Sequence, residues 1–127
     1  MSTLHSDVIE RLAEHLAPVF ESSPDGVYIW LDEQHKACNE RLAALFGWTV
    51  DEWRAAEPFL ARFVAPDDRD VYSWHYQQRV ATLAFPATVR FRGLRKDGSA
   101  FAAETDMIPL SFMGHAVAYH FVRQVGE

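Results

Sequence analysis

The feature that most constrains this chain is a hairpin signature in its last third. Val89 and Phe91 alternate with Arg90 and Arg92, and the run continues through Gly93-Leu94-Arg95-Lys96-Asp97-Gly98-Ser99-Ala100-Phe101. Period-2 alternation is the pattern of a half-buried strand. Asp97-Gly98 falls where the chain has to reverse, and glycine takes the positive φ of such a turn without steric cost. On its own this specifies only a hairpin, so the remaining segments decide the architecture.

The N-terminal segment is helical. Leu4, Val8, Leu12, Leu16 and Phe20 recur every four residues, and Ser6 or Asp7 is placed to cap the helix. Ser23-Pro24-Asp25-Gly26 ends it as a loop. Val27 to Leu31 reads as a strand with Val27, Ile29 and Leu31 on one face and Tyr28 and Trp30 on the other. His35 to Cys38 forms a second, short strand. Asn39 caps a helix that buries Leu42, Leu45 and Phe46, and Gly47 stops it. Thr49 and Glu52 make a capping box for the next helix. Phe59 to Val64 is irregular or a helical turn. Pro66, followed by Asp67, Asp68 and Asp70, starts a helix expected to reach about Leu83. Three strands follow, roughly 87–94, 100–108 and 115–125, the last two joined at Met113-Gly114. This order gives an α+β fold, one antiparallel sheet with helices gathered on one face.

With 127 residues, one domain is expected. Nine Phe and four Trp supply a core, and a net charge of −6 without a basic run argues against direct nucleic-acid binding. Cys38 is the single cysteine, which excludes an internal disulfide. No apolar stretch is long enough to span a bilayer, and the N-terminus lacks the pattern of a signal peptide. A cytoplasmic location, with no membrane partner, is therefore expected.

Asn39-Glu40-Arg41-Leu42-Ala43-Ala44-Leu45-Phe46-Gly47-Trp48, the Thr49-Val50-Asp51-Glu52 helix start, the Pro66-Asp67-Asp68 turn and the late Arg95-Lys96-Asp97-Gly98-Ser99 hairpin follow one another in an order that resembles a PAS domain. The resemblance covers about residues 18 to 125. It implies a PAS-like five-stranded antiparallel sheet, with the helical middle folded over one face to enclose a pocket. Residues 1–20 are then an N-terminal amphipathic cap helix and 21–127 a single PAS domain. Such domains sense small ligands, bind cofactors such as haem or flavins, dimerise, and pass a signal to a kinase, cyclase or transcription regulator. No such effector lies within this chain, which reads as a sensory fragment or a protein acting through partners. The FMN and haem motifs are not matched. The flavin-type cysteine motif is replaced by Pro58-Phe59-Leu60-Ala61-Arg62-Phe63-Val64, and the position of the haem-ligating His is Arg69. The cofactor is thus left unknown.

Single residues carry two readings each. His75, beside Val71, Trp74 and Gln78 on the long helix, is a haem ligand or pocket contact, or a surface His. Cys38 is a redox sensor or a buried packing thiol. Asp67, Asp68 and Asp70 are a carboxylate cluster or a helix start. Glu104 and Asp106 look like a solvated edge. No metal-ligand spacing is found. Phe63, Val71, Trp74, His75, Gln78, Phe91, Phe101, Met107 and Tyr119 are candidates to line a pocket for a small apolar or aromatic ligand. Leu4, Val8, Leu12 and Leu16, with Tyr28 and Trp30, are candidates for a homodimer or partner surface, formed where the N-terminal helix crosses the outer sheet face.

The leading expectation is a non-catalytic sensory module. The alternatives are a ligand-free protein–protein interaction and dimerisation module, and a small α+β enzyme using His75 or Tyr119 as acid or base.

Overall fold

The computed structural model describes residues 2–77 and 87–126. Two helices, α1 (Ser2–His15) and α2 (Ala17–Ser22), lead into strands β1 (Gly26–Asp32) and β2 (His35–Cys38). The helical middle consists of α3 (Glu40–Leu45), α4 (Val50–Ala55), α5 (Phe59–Phe63), a 3-10 turn at Pro66–Asp68, and α6 (Arg69–His75). Strands β3 (Ala87–Leu94), β4 (Ala100–Phe112) and β5 (His115–Gln124) follow. All five strands form one antiparallel sheet in the order β2-β1-β5-β4-β3. The first and last strands are therefore neighbours at its centre. The continuation of the long helix to Leu83 and the candidate Gln78 lie outside the described residues.

The N-terminal segment is two helices instead of one, and it begins at Ser2, so neither Ser6 nor Asp7 caps it. Pro18 explains the break. It has no N–H to give the preceding turn and its ring crowds that turn's carbonyl, so it sits in the first turn of a new helix. Strand β4 runs on to Phe112 because β5 pairs with it down to the Phe112↔His115 rung. Met113 (φ 50°) and Gly114 (φ 80°) then reverse the chain with both residues at positive φ. Pro109 lies beyond the last described rung between β3 and β4, Ala87↔Met107, and pairs across β5 with Ala118.

The helical middle closes the way its end signals require. Thr49 Oγ1 accepts from Glu52 N at 3.2 Å while Glu52 Oε1 accepts from Thr49 N at 2.9 Å, a complete capping box. Gly47 (φ 78°) ends α3, with Gly47 N on Ala44 O at 3.0 Å and Trp48 N on Ala43 O at 2.8 Å. Asp68 does not cap α6. Its carboxylate accepts the Arg92 N–H at 2.8 Å and so ties the helix start to β3.

Helices α3–α6 cover one face of the sheet. Leu42, Phe46, Trp53, Phe63 and Tyr72 meet Tyr28, Val89, Phe91, Phe101, Met107 and Val122 there. The other face is divided. Ile9, Leu12 and Leu16 of α1 pack on Ile29, Ala37 and Val117. Beyond them the face is ionic: Arg123 holds Glu104 and Asp106, and Arg90 reaches Glu104 at 3.0 Å. Glu104 and Asp106 thus belong to an arginine network; Arg123 holds both carboxyls below their ordinary range, helped by Arg90 at Glu104 and by the Thr88 hydroxyl at Asp106.

Two expectations about faces are corrected. Tyr28 and Trp30 point into the helix-covered face, while Ile29 and Leu31 meet α1. Tyr119, opposite Ile29 in the β1–β5 ladder, also lies on the α1 side. Strand alternation defines two faces but does not say which one the helices cover, and here both faces are apolar over β1. Val8, Leu12 and Leu16 are buried within their own chain. Leu4 lies in the first turn of α1, where only the backbone is described.

Asn39, 7% exposed, joins these parts. Its Oδ1 accepts from Val27 N at 3.0 Å and from Leu42 N at 2.9 Å. Its Nδ2 donates to Phe20 O at 3.1 Å and Asp25 O at 3.3 Å. Asn39→Ala removes a helix cap and orphans a buried strand N–H. It is expected to cost about 2–4 kcal/mol of stability by urea denaturation. A loss below about 1 kcal/mol would contradict the linking role.

Candidate functional site

A cavity of about 290 Å³ lies between the sheet and the helices α5 and α6. Strand β1 contributes Tyr28 and Trp30, and the turn after it contributes Glu33. Pro58, Phe59 and Leu60 form one wall at the start of α5. Tyr72 and Ser73 descend from α6, Tyr76 and Gln77 from the turn that continues it, and His120 comes from β5. An engineered apolar cavity of about 150 Å³ takes up benzene, so there is room here for about two rings.

The back of the cavity is closely packed. Tyr28 and Tyr72 share a buried hydroxyl–hydroxyl hydrogen bond. Tyr28 stacks on His120 with ring centroids 4.1 Å apart and 1° between planes. Phe59 lies 5.3 Å from Tyr28 and 6.0 Å from Tyr72, and Phe91 meets Tyr72 edge-on at 5.0 Å. The front is more open: Trp30, Phe59 and Tyr76 are only partly buried, and Trp30 meets Tyr76 at 5.6 Å and 84°.

Burial controls the electrostatics. It pushes the phenols of Tyr28 and Tyr72 up, and that of Tyr76 to about 12. Burial pushes the His120 imidazole down to about 3, against a smaller opposing pull from the Tyr28 backbone. Neither ring nitrogen of His120 has a hydrogen-bond partner among the described residues. At neutral pH the tyrosines and His120 are uncharged, and Glu33 is the one carboxylate of the lining. Trp30 Nε1 donates to Glu33 Oε1 at 3.2 Å and Phe59 N donates to Oε2 at 2.8 Å. The arrangement is suited to holding a flat or compact apolar guest.

The residues expected to line a pocket are only partly brought together here. Phe63, Phe91, Phe101 and Met107 lie in the core under α3–α6, beside the cavity but not in its wall. Val71 and Trp74 are each 52% exposed. Helix α6 turns Tyr72 and Tyr76, spaced i and i+4, toward the sheet, and this leaves Val71 and Trp74 on the opposite side. His75 packs edge-on against Trp74 at 5.1 Å and does not line the cavity, nor does Tyr119. Tyr28 and Trp30, assigned from the sequence to a partner surface, are cavity walls. The signal for Tyr72 and Tyr76 was present as a second helical stripe, but Val71 and Trp74 form an equally apolar one. Glu33 and His120 carried no sequence signal.

Arg69, at the position of the haem-binding His in the PAS resemblance, donates through Nε to Leu60 O at 3.1 Å and Val64 O at 2.9 Å. Cys38 is buried, and burial pushes its thiol up to about 12, as for a packing thiol at neutral pH. No cluster of three or more metal-ligating side chains occurs among the described residues. No described helix is long and apolar enough to cross a membrane.

No protein-family profile matches the chain, and no curated protein matches it. Solved structures do. The chain is similar to a PAS domain from a two-component sensor histidine kinase, at 13% identity and TM-score 0.69, over 91% of this chain and 98% of that one. It is similar to the PAS domain of an HTR-like protein from Haloarcula marismortui, at 21% identity and TM-score 0.65, covering 92% and 94%. It is also similar to the N-terminal domain of a diguanylate cyclase with PAS/PAC sensor from Marinobacter aquaeolei, at 18% identity and TM-score 0.59, covering 78% and 94%. The fold of this chain is that of a PAS domain.

The buried His120 makes stability depend on pH. Its unfolded pKa is 6.5 and its folded value about 3, so between them only the unfolded chain takes up the proton. The contribution is complete above 6.5 and is lost as pH falls toward 3. Going from about pH 7.5 to about 5.5 is expected to cost on the order of 1 kcal/mol through this group. Urea denaturation at both pH values checks it, since His120→Leu should lose that part of the slope. An unchanged slope would refute the assignment.

Proposed function

We propose that this chain is a sensory PAS domain that holds a small, mostly apolar or aromatic ligand and biases an attached or partner effector, such as a kinase, cyclase or transcription regulator. The observation that carries the reading is the aromatic cavity between β1, β5, α5 and α6. A filled cavity and an empty one favour different placements of α6 against the sheet, and a ligand shifts only states it binds differently. Residues 1–20 act as the helical cap and 21–127 as the PAS domain.

A second reading, an interaction or dimerisation module, has its own support. Val71 and Trp74 expose an apolar pair on α6. A homodimer would use that pair or the outward side of α1, because the inward side of α1 is already occupied by its own sheet.

Native mass spectrometry of the purified chain, beside an absorption spectrum, tests the proposal. A bound small molecule that is lost when Ser73→Trp fills the cavity supports the ligand-holding reading. A ligand-free dimer that Trp74→Ala dissociates overturns it in favour of the interaction module.

A further inference from the structure

We infer that the cavity selects an organic cation, whose methylated or aromatic ammonium head sits among Trp30, Phe59 and Tyr76 with Glu33 as counter-charge. The inference rests on the ligand-holding reading and adds the sign of the ligand's charge.

Three rings keep surface available to a guest. Tyr28 and Tyr72 are buried and bonded to each other, whereas Trp30, Phe59 and Tyr76 remain partly exposed around the opening. Trp30 and Tyr76 stand at 84° to one another, so their surfaces form a corner instead of a slot. A corner suits a compact, rounded head. Aromatic faces are negative, and a cation within about 6 Å of a ring centroid is attracted to them, most strongly to Trp and most strongly when it is shielded from water.

Glu33 supplies the charge. Its carboxylate is fixed against the Trp30 indole by two neutral donors, Trp30 Nε1 and Phe59 N. No Lys or Arg among the described residues forms an ion pair with it. Lys36 spends its ammonium on the Glu33 carbonyl oxygen, at 2.5 Å. Among the described residues, Glu33, Glu57 and Asp32 attract that ammonium and Arg54 repels it. Arg69 is engaged on the Leu60 and Val64 carbonyls. No Lys or Arg among the described residues lines the cavity, and the whole chain carries −6. An anion meets repulsion there and finds no cationic donor. A neutral ring fills the walls but adds no charge opposite the Glu33 carboxylate, whose nearest cation, Lys36, is bonded to the Glu33 backbone carbonyl.

The test is a two-dimensional NMR titration of the full chain with benzyltrimethylammonium and with its uncharged carbon isostere, neopentylbenzene. The cation is expected to shift Trp30, Phe59 and Tyr76 and to bind roughly tenfold or more tightly than the isostere. Glu33→Gln, which keeps an acceptor oxygen for the two N–H groups, should shrink that ratio several-fold, and added salt should weaken it. Equal or tighter binding of the isostere at the same residues overturns the cation inference and leaves the ligand-holding reading standing. No shift at these residues with either compound also overturns it. If Glu33→Gln does not fold, the cation-to-isostere ratio on the unaltered chain decides.

Discussion

The fold depends on one buried side-chain amide. Asn39 stands where β2 ends and α3 begins, and all four of its hydrogen-bonding positions are used within the protein. One oxygen serves both the Val27 N–H at the start of β1 and the cap of α3, while the nitrogen gathers carbonyls of α2 and of the loop before β1. The Asn39 backbone N–H also returns to Val27 O at 3.0 Å. A buried amide that satisfies itself this way fixes three chain segments relative to each other, because any other arrangement strands polar groups away from water. The helical middle therefore leaves the sheet in a set direction.

That direction has a consequence at Gly26. A Cβ there would meet Leu42 Cα at 2.8 Å, so α3 crosses β1 in backbone contact. With α3 pressed onto one end of β1, the helices that follow are carried toward the other end, and α5 and α6 come down over Tyr28 and Trp30. The cavity is the space left between large rings that pack by their edges. Trp53 and Phe63 stack at 5.4 Å and close the core behind it. The Tyr28–Tyr72 hydroxyl pair spans sheet and helix and satisfies two phenols that would otherwise be buried without partners.

Much of this was legible in the residues. The capping box at Thr49 and Glu52, the glycine stop at Gly47, the Asn39 cap and the two strand reversals all act over a few residues, so their chemistry can be read directly and the structure reproduces each. The site was far less legible. In β1, Val27-Tyr28-Ile29-Trp30-Leu31 is apolar at every position, and alternation alone cannot say which set faces the helices. In α6, Val71 and Trp74 compete with Tyr72 and Tyr76 for the buried stripe. Both choices went to the other face, and the candidate lining moved with them. Glu33 and His120 become part of a site only because a turn and a distant strand bring them to the same rings.

The sequence by itself determined the α+β class and the order of helices and strands, apart from the helix break at Pro18, since helix caps, turn glycines and strand periodicity are local and each costs or gains free energy within one or two turns of chain. Only the tertiary structure decided which face of each apolar element looks inward, and therefore which rings border the cavity. The physical reason is that burial is a property of the partner surface. Both faces of β1 are covered, by α1 on one side and by the helical middle on the other, so hydrophobicity no longer distinguishes them there and the packing of the helices does.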